Sequence, residues 1–340
     1  MPQRLRIALC LSALLALSGT AAADAVFIWP DGSGDYATIQ EAVLDVPDGS
    51  TVYLIPGTFT GPGNRDITWS GKNVSVVVFG AQGSAIIDCE GEDRAMRLRS
   101  GVDSTSVISG LTFTNGYPAN GSGGAIDCEN AGPSIQDCTF TFNSATYGGA
   151  IRFQGGPAPR VEGCVFHDNE SVYGGAIDAS DCDLRVRQCT FVDNVASRGG
   201  AVQLNGCTAV FERATMCRNS ADYGAALRMV SSSALLDQCI VAFNMTNEAL
   251  TGEETSEICY TYIFANCDGD DVEGNAHDNE VADPQLCDLD GGDAHPCADS
   301  RCLPSQNAWG LHIGHLAAGC GACSSPVRNT SWGAIKSLYR

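Results

Sequence analysis

Apolar and polar residues alternate in short bursts along the middle of the chain, and the bursts recur at a fixed interval. Five Gly-Gly-Ala-Ile phrases or close variants begin at Gly123, Gly148, Gly174, Gly199 and Gly224, in steps of 25, 26, 25 and 25 residues. After each, one set of positions is apolar: Ile126/Cys128, Ile151/Phe153, Ile177/Ala179, Val202/Leu204 and Leu227/Met229. The position between them is polar in every copy: Asp127, Arg152, Asp178, Gln203 and Arg228. Period-two alternation predicts a strand buried on one face, with the polar column turned to solvent. "DLRVRQCTF" alternates likewise, with Leu184 and Val186 inward, a bend at Arg187 and Gln188, then Cys189 and Phe191 inward.

A second phrase, Cys-x-Phe-x-x-Asn, keeps the same beat at Cys138/Phe140/Asn143, Cys164/Phe166/Asn169 and Cys189/Phe191/Asn194. It continues as Ala214/Met216/Asn219 and Cys239/Val241/Asn244, and Thr112 with Asn115 reads as an earlier, worn copy. A fixed period of this size marks a solenoid. About three short strands per repeat, joined by bends, predict an all-β fold: a parallel β-helix of roughly eight coils, with equivalent residues stacked about 4.8 Å apart. The asparagines suit sharp corners, since Asn tolerates the left-handed conformation, and their amides are placed to hydrogen-bond along the stack. The glycine pair suits a second corner, where a Cβ would collide.

Upstream, Thr38 and Glu41 have capping-box spacing before Ile39, Ala42, Val43 and Val46. They predict a short helix that lids the open edge of the first coil, with strands following at "TVYLIPG" and "VSVVVFG". Residues 1–23, with Arg4 and Arg6 before an apolar run and a small-residue site at Ala21–Ala23, read as a secretory signal peptide. Residues 24–250 then form the repeat domain, 251–328 an acidic, Cys-rich last coil and cap, and 329–340 a tail. Without the two leader arginines, 17 basic residues face 40 acidic ones, a net charge of −23. Such a surface repels phosphate backbones and anionic lipid, which argues against nucleic acid and membrane-surface partners. No later apolar run is long enough for a transmembrane helix, so the expectation is a soluble, exported, secreted or cell-surface monomer.

The stretch "PDGSGDYATIQEAV…VPDGSTVYLIPGTFTG" resembles the opening of right-handed β-helix proteins of the pectin-lyase-like superfamily, pectin methylesterases included. The Gly-Gly-Ala-Ile and Phe-x-x-Asn phrases look like the repeats of chlamydial polymorphic outer-membrane proteins. Together these resemblances cover roughly residues 27 to 245 and imply a right-handed coil. The Gln-Asp-Thr-Leu and Asp-Phe-Ile-Phe-Gly segments of pectin methylesterases are missing, as are the Asn-Thr-Asp, Gly-His-Gly and Arg-Ile-Lys segments of polygalacturonases. The resemblance therefore implies a scaffold without its familiar active sites.

Candidate chemistry lies in what varies between copies. Asp127 and Asp178 fall two rungs apart, near the carboxylate separation of an inverting glycosidase, with Arg152 between them. That cation favours ionised carboxylates, the opposite of what a general acid needs, and cross-strand charge pairing is the plainer reading. Tyr147, Tyr173, Arg198 and Tyr223 form a column ahead of the glycines, either a strip for stacking sugar rings or tyrosines packed on each other. Cys138, Cys164, Cys189 and Cys239 read as core filler, whereas Cys182 and Cys207 sit one rung apart in a loop and suit a disulfide. In the C-terminal third, Asp268, Asp270 and Asp271 with Glu273 are either a calcium loop, without EF-hand spacing, or a solvated acidic loop. His312, His315, Cys320 and Cys323 are either zinc ligands or part of a disulfide-tied cap. No other cofactor is implied. The leading expectation is non-enzymatic recognition of a polysaccharide or surface protein; the alternatives are a polysaccharide lyase or glycoside hydrolase, and a structural envelope component.

Overall fold

The computed structural model describes residues 22–119, 121–245 and 248–252, with short pieces between 257 and 318. Residues 1–21 of the leader, the acidic loop of Asp268, Asp270 and Asp271, the set His312, His315, Cys320 and Cys323, and the tail 329–340 lie outside the described residues. The expected parallel β-helix is present, wound into roughly nine coils. Three long sheets run along it, of eight, eleven and nine strands, and within the coils every pairing is parallel. Sheet I follows the glycine corner and contains Met96–Leu98, Ile126–Glu129, Ile151–Gln154, Ile177–Ser180 and Val202–Asn205. Sheet II contains Ser134–Gln136 and Asp183–Arg187, and sheet III Thr139–Thr141, Val165–His167 and Thr190–Val192.

A fourth sheet went unforeseen. Ser144–Tyr147, Glu170–Tyr173 and Val195–Arg198 pair in register just before the glycines, so the central coils hold four strands rather than three. These strands are only four residues long and mix half-buried with exposed positions, Ala196 alone being buried, so they leave little apolar signal in the sequence.

Like residues stack up the core. Phe113, Phe140, Phe166 and Phe191 form a column of parallel rings with centroids 4.8–5.0 Å apart. Beside them runs an asparagine ladder. The Nδ2 of Asn143, Asn169, Asn194 and Asn219 donates to the Oδ1 of the next asparagine at 2.9–3.1 Å, ending on Asn244. The left-handed conformation falls one residue earlier than expected, on Phe142, Asp168, Asp193, Arg218 and Phe243, at φ 54–57°. The preceding residue turns the corner so that the asparagine amide points inward. The worn copy is also shifted by one: Phe113 pairs with Phe140, Asn115 takes the left-handed position, and Gly116 N donates to Asn143 Oδ1 at 3.0 Å.

The glycine corner matches its expectation. Gly148 has φ 62°, and a Cβ there would collide with the Ile151 carbonyl of its own strand. At Gly149 a Cβ would collide with the carbonyl of Gly175 in the next coil, so the second glycine is required by stacking. The lid is helix α1 (Ile39–Asp45), with Thr38 Oγ1 accepting from Glu41 N at 3.2 Å and Ile39, Ala42 and Val43 buried. Gln40 closes the edge of sheet I. Its Nε2 donates to Thr68 O at 3.0 Å and its Oε1 accepts from Thr68 N at 2.7 Å, replacing the missing strand.

Candidate functional site

The outward column of sheet I joins, in register, Arg97, Asp127, Arg152, Asp178, Gln203 and Arg228. The order along the stack is as expected; the exposure is not. Asp127 is 2% exposed, Asp178 4% and Gln203 4%. Each glycine corner presses against the first peptide of its own strand, as Gly174 does against Ile177–Asp178, and this outward position lies in its shelter. The next outward column is wetter, with Glu129, Gln154 and Asn205 exposed and Ser180 half-buried.

Asp127 is surrounded by guanidinium groups: Arg94 at 3.2 Å, Arg99 at 3.4 Å and Arg152 at 3.5 Å. Arg94 is fully buried, its pKa lowered by burial, and its Nη1 donates to the Ser122 carbonyl. Asp66 adds a carboxylate 3.0 Å from Arg97, and burial pushes its carboxyl above the usual range despite the arginines. The sequence reading missed this cluster. Its trace is "RAMRLR", where Met96 and Leu98 alternate with Arg97 and Arg99 as Ile126 and Cys128 do with Asp127 and Glu129.

Asp178 corrects a second expectation. Burial raises its carboxyl to about 7, and the opposing effect of Arg152 is smaller. That value suits proton transfer near neutral pH, but a carboxyl sheltered to this degree does not meet a substrate without movement of the corner above it.

The tyrosine column sits on sheet IV. Tyr147 pairs with Tyr173 and Tyr173 with Arg198, and a bridge joins Arg198 to Tyr223. Tyr147 and Tyr173 stack at 5.1 Å with planes 7° apart; Arg198 lies 5.3 Å over Tyr173, and its Nη1 donates to the Tyr173 hydroxyl at 3.0 Å. Arg152 covers Tyr147 from 5.7 Å, tying the two columns together. One face of Tyr147 and one of Tyr173 are thus turned on each other, with an arginine over each ring, so this pair chiefly offers solvent its edges. Tyr223, 58% exposed, ends the column. A second aromatic surface escaped the sequence reading: Phe27, Trp29, Tyr53 and Phe79 cluster on the outside of sheet II, with centroids 5.1–6.4 Å apart, Trp29 and Phe79 being exposed.

Cys138, Cys164, Cys189 and Cys239 are fully buried, as expected of core filler. Cys182 and Cys207 are also buried and are adjacent free thiols. A depression of about 380 Å³, lined by Gln136, Asp137, Glu162, Gly163 and Gln188, lies at the bend between sheets II and III, away from the Asp127–Asp178 column.

No curated protein sequence matches the chain. Among solved structures, the crystal structure of pectate lyase Pel9A superposes with a TM-score of 0.45 at 11% identity, covering 88% of this chain and 98% of that one. The family model described as "Right handed beta helix region" matches residues 63–244, more than half of the chain and the whole of the repeat described above. The chain belongs to the right-handed β-helix family.

Proposed function

We propose that this protein is an exported recognition module that binds a polysaccharide, or a surface protein, along its ladder faces without turning it over. One observation carries the reading: the two carboxylates of the sheet I column, Asp127 and Asp178, are sequestered, whereas the tyrosine–arginine column beside them is left to solvent. Asp127 is held by three arginines and Asp178 is sheltered, while Tyr147, Arg198 and Tyr223 are exposed on one edge. Aligned hydroxyls, ring edges and guanidiniums at one-coil spacing suit a repeating polyhydroxylated chain.

A glycan array probed with the wild type and with a Tyr147→Ala/Tyr223→Ala double variant tests this. At about 0.5–1.5 kcal/mol per aromatic contact, the double variant should lose roughly tenfold in affinity. Unchanged binding would place the ligand elsewhere. The rival reading, a polysaccharide lyase or glycoside hydrolase, draws support from one observation, the carboxyl of Asp178 raised to about 7.

A further inference from the structure

Cys182 and Cys207 occupy the same corner of consecutive coils. The flanking register fixes this, with Ser180 beside Asn205 and Asp183 beside Thr208. Parallel neighbours at that spacing have Cα atoms roughly 4.8 Å apart, inside the range a disulfide accepts. The thiols already share a hydrogen bond, which holds Cys207 below the usual thiol range and Cys182 above it. The next rung has Ser232, whose Oγ accepts from Cys207 N at 3.0 Å.

The other column of neighbouring cysteines differs. Cys138, Cys164 and Cys189 are fully buried, and each Sγ lies near two carbonyls, those of Ile108 and Gln136 for Cys138. Burial pushes the Cys138 and Cys164 thiols far up, so they lack the thiolate that exchange requires. Cys182 and Cys207 instead keep 6% and 3% of their surface, at the rim of the core.

We propose that Cys182 and Cys207 are a selective oxidation site that closes into an inter-coil disulfide, while Cys138, Cys164 and Cys189 remain thiols. The oxidant is a small-molecule disulfide, and Cys207, 3% exposed, meets it only when its corner of the coil opens, as holds for Asp178. The Cys207 thiolate attacks one of the oxidant's sulfurs, forming a mixed disulfide and expelling one thiolate. The Cys182 sulfur, losing its proton, then attacks Cys207 Sγ and expels the second thiolate. Two cysteine thiols are oxidised to one disulfide, the oxidant disulfide is reduced to two thiols, and these carry away the two protons. The bond closes a loop of one coil and staples two rungs of the solenoid.

The test exposes the folded, reduced protein to oxidised glutathione, followed by acid quench, differential alkylation and peptide mapping without reduction. The proposal expects a linked pair of peptides containing Cys182 and Cys207, with Cys138, Cys164 and Cys189 alkylated only after unfolding. Oxidation should also raise the unfolding midpoint by about 5 °C or more, and Cys182→Ser should abolish that rise and leave Cys207 as a glutathione adduct. Cys182 and Cys207 as slow to react as Cys138, or linked to other cysteines, would overturn it. The peptide map needs no variant, so a Cys182→Ser protein that fails to fold does not blunt the test, and neither result depends on the ligand.

Discussion

Replacing Asn194 with alanine removes a rung from the middle of the asparagine ladder. The side chain donates to Asn219 Oδ1 at 2.9 Å, Phe166 O at 3.0 Å and Val192 O at 3.2 Å. It accepts from Asn169 Nδ2 at 2.9 Å and from Asn169 N at 3.2 Å. All of this lies in the core, where Asn169, Asn194 and Asn219 are at most 1% exposed. Alanine leaves those partner groups with fewer hydrogen bonds and no water to replace them. A buried polar group so stranded costs about 1–3 kcal/mol. Because some partners keep a second bond, a total of about 3–5 kcal/mol is expected, at the upper end for a single substitution. Asn194→Asp should be no milder, since a carboxylate cannot donate to Asn219 Oδ1, Phe166 O or Val192 O. Denaturant unfolding gives the total, and amide hydrogen exchange should show the loss centred on the coils of residues 169–219, since solenoid coils couple chiefly to their neighbours. An Asn194→Ala protein destabilised by less than about 1 kcal/mol would refute the reasoning that the buried ladder hydrogen bonds of Asn194 stabilise the core.

Other outcomes follow from the charged column. Asp178 has its carboxyl raised from 3.8 to about 7, so the folded chain holds an extra proton between about pH 4 and pH 7. Stability should therefore fall as pH rises through that window and level off above it, by at most about 4 kcal/mol, and Asp178→Asn should flatten this part of the profile. Asp127→Ala leaves Arg94 buried without its nearest carboxylate and should cost about 3 kcal/mol in denaturant unfolding. Gly149→Ala, which sets a Cβ against the Gly175 carbonyl, should lower the thermal midpoint more than Gly71→Ala, where a Cβ would meet nothing within 4 Å and only the left-handed backbone, φ 70°, opposes it. Both glycines would be judged by thermal melts, and equal shifts would argue against contact between the coils at that corner.

Much of the fold was legible because the solenoid repeats its constraints. Phe140, Phe166 and Phe191 announce one inward column, and the glycines at 148, 174 and 199 one corner. What escaped was whatever period-two alternation cannot encode. Asp127 and Asp178 alternate like solvent-facing residues, yet the chain that shelters them belongs to the preceding corner, a neighbour across the bend rather than along the strand. Asn143 looked like the corner residue, but burying its amide required the left-handed turn at Phe142. Arg94 was hidden because the glycine phrase that marks the later coils is absent before Ala95, where Asp93 stands. The tyrosine column was visible at repeat spacing; that its rings face each other became clear only from the register of the fourth sheet.

Recognition without chemistry at the repeat face is the function proposed for this β-helix. Its most direct test incubates the purified protein with a panel of neutral and acidic polysaccharides, and reads both new reducing ends and the ultraviolet absorbance of unsaturated products. Binding to at least one polymer, by co-sedimentation, is expected, with no product above the no-protein control between pH 5 and pH 9. Turnover by the wild type that disappears in Asp178→Ala, while the variant remains folded, would contradict it.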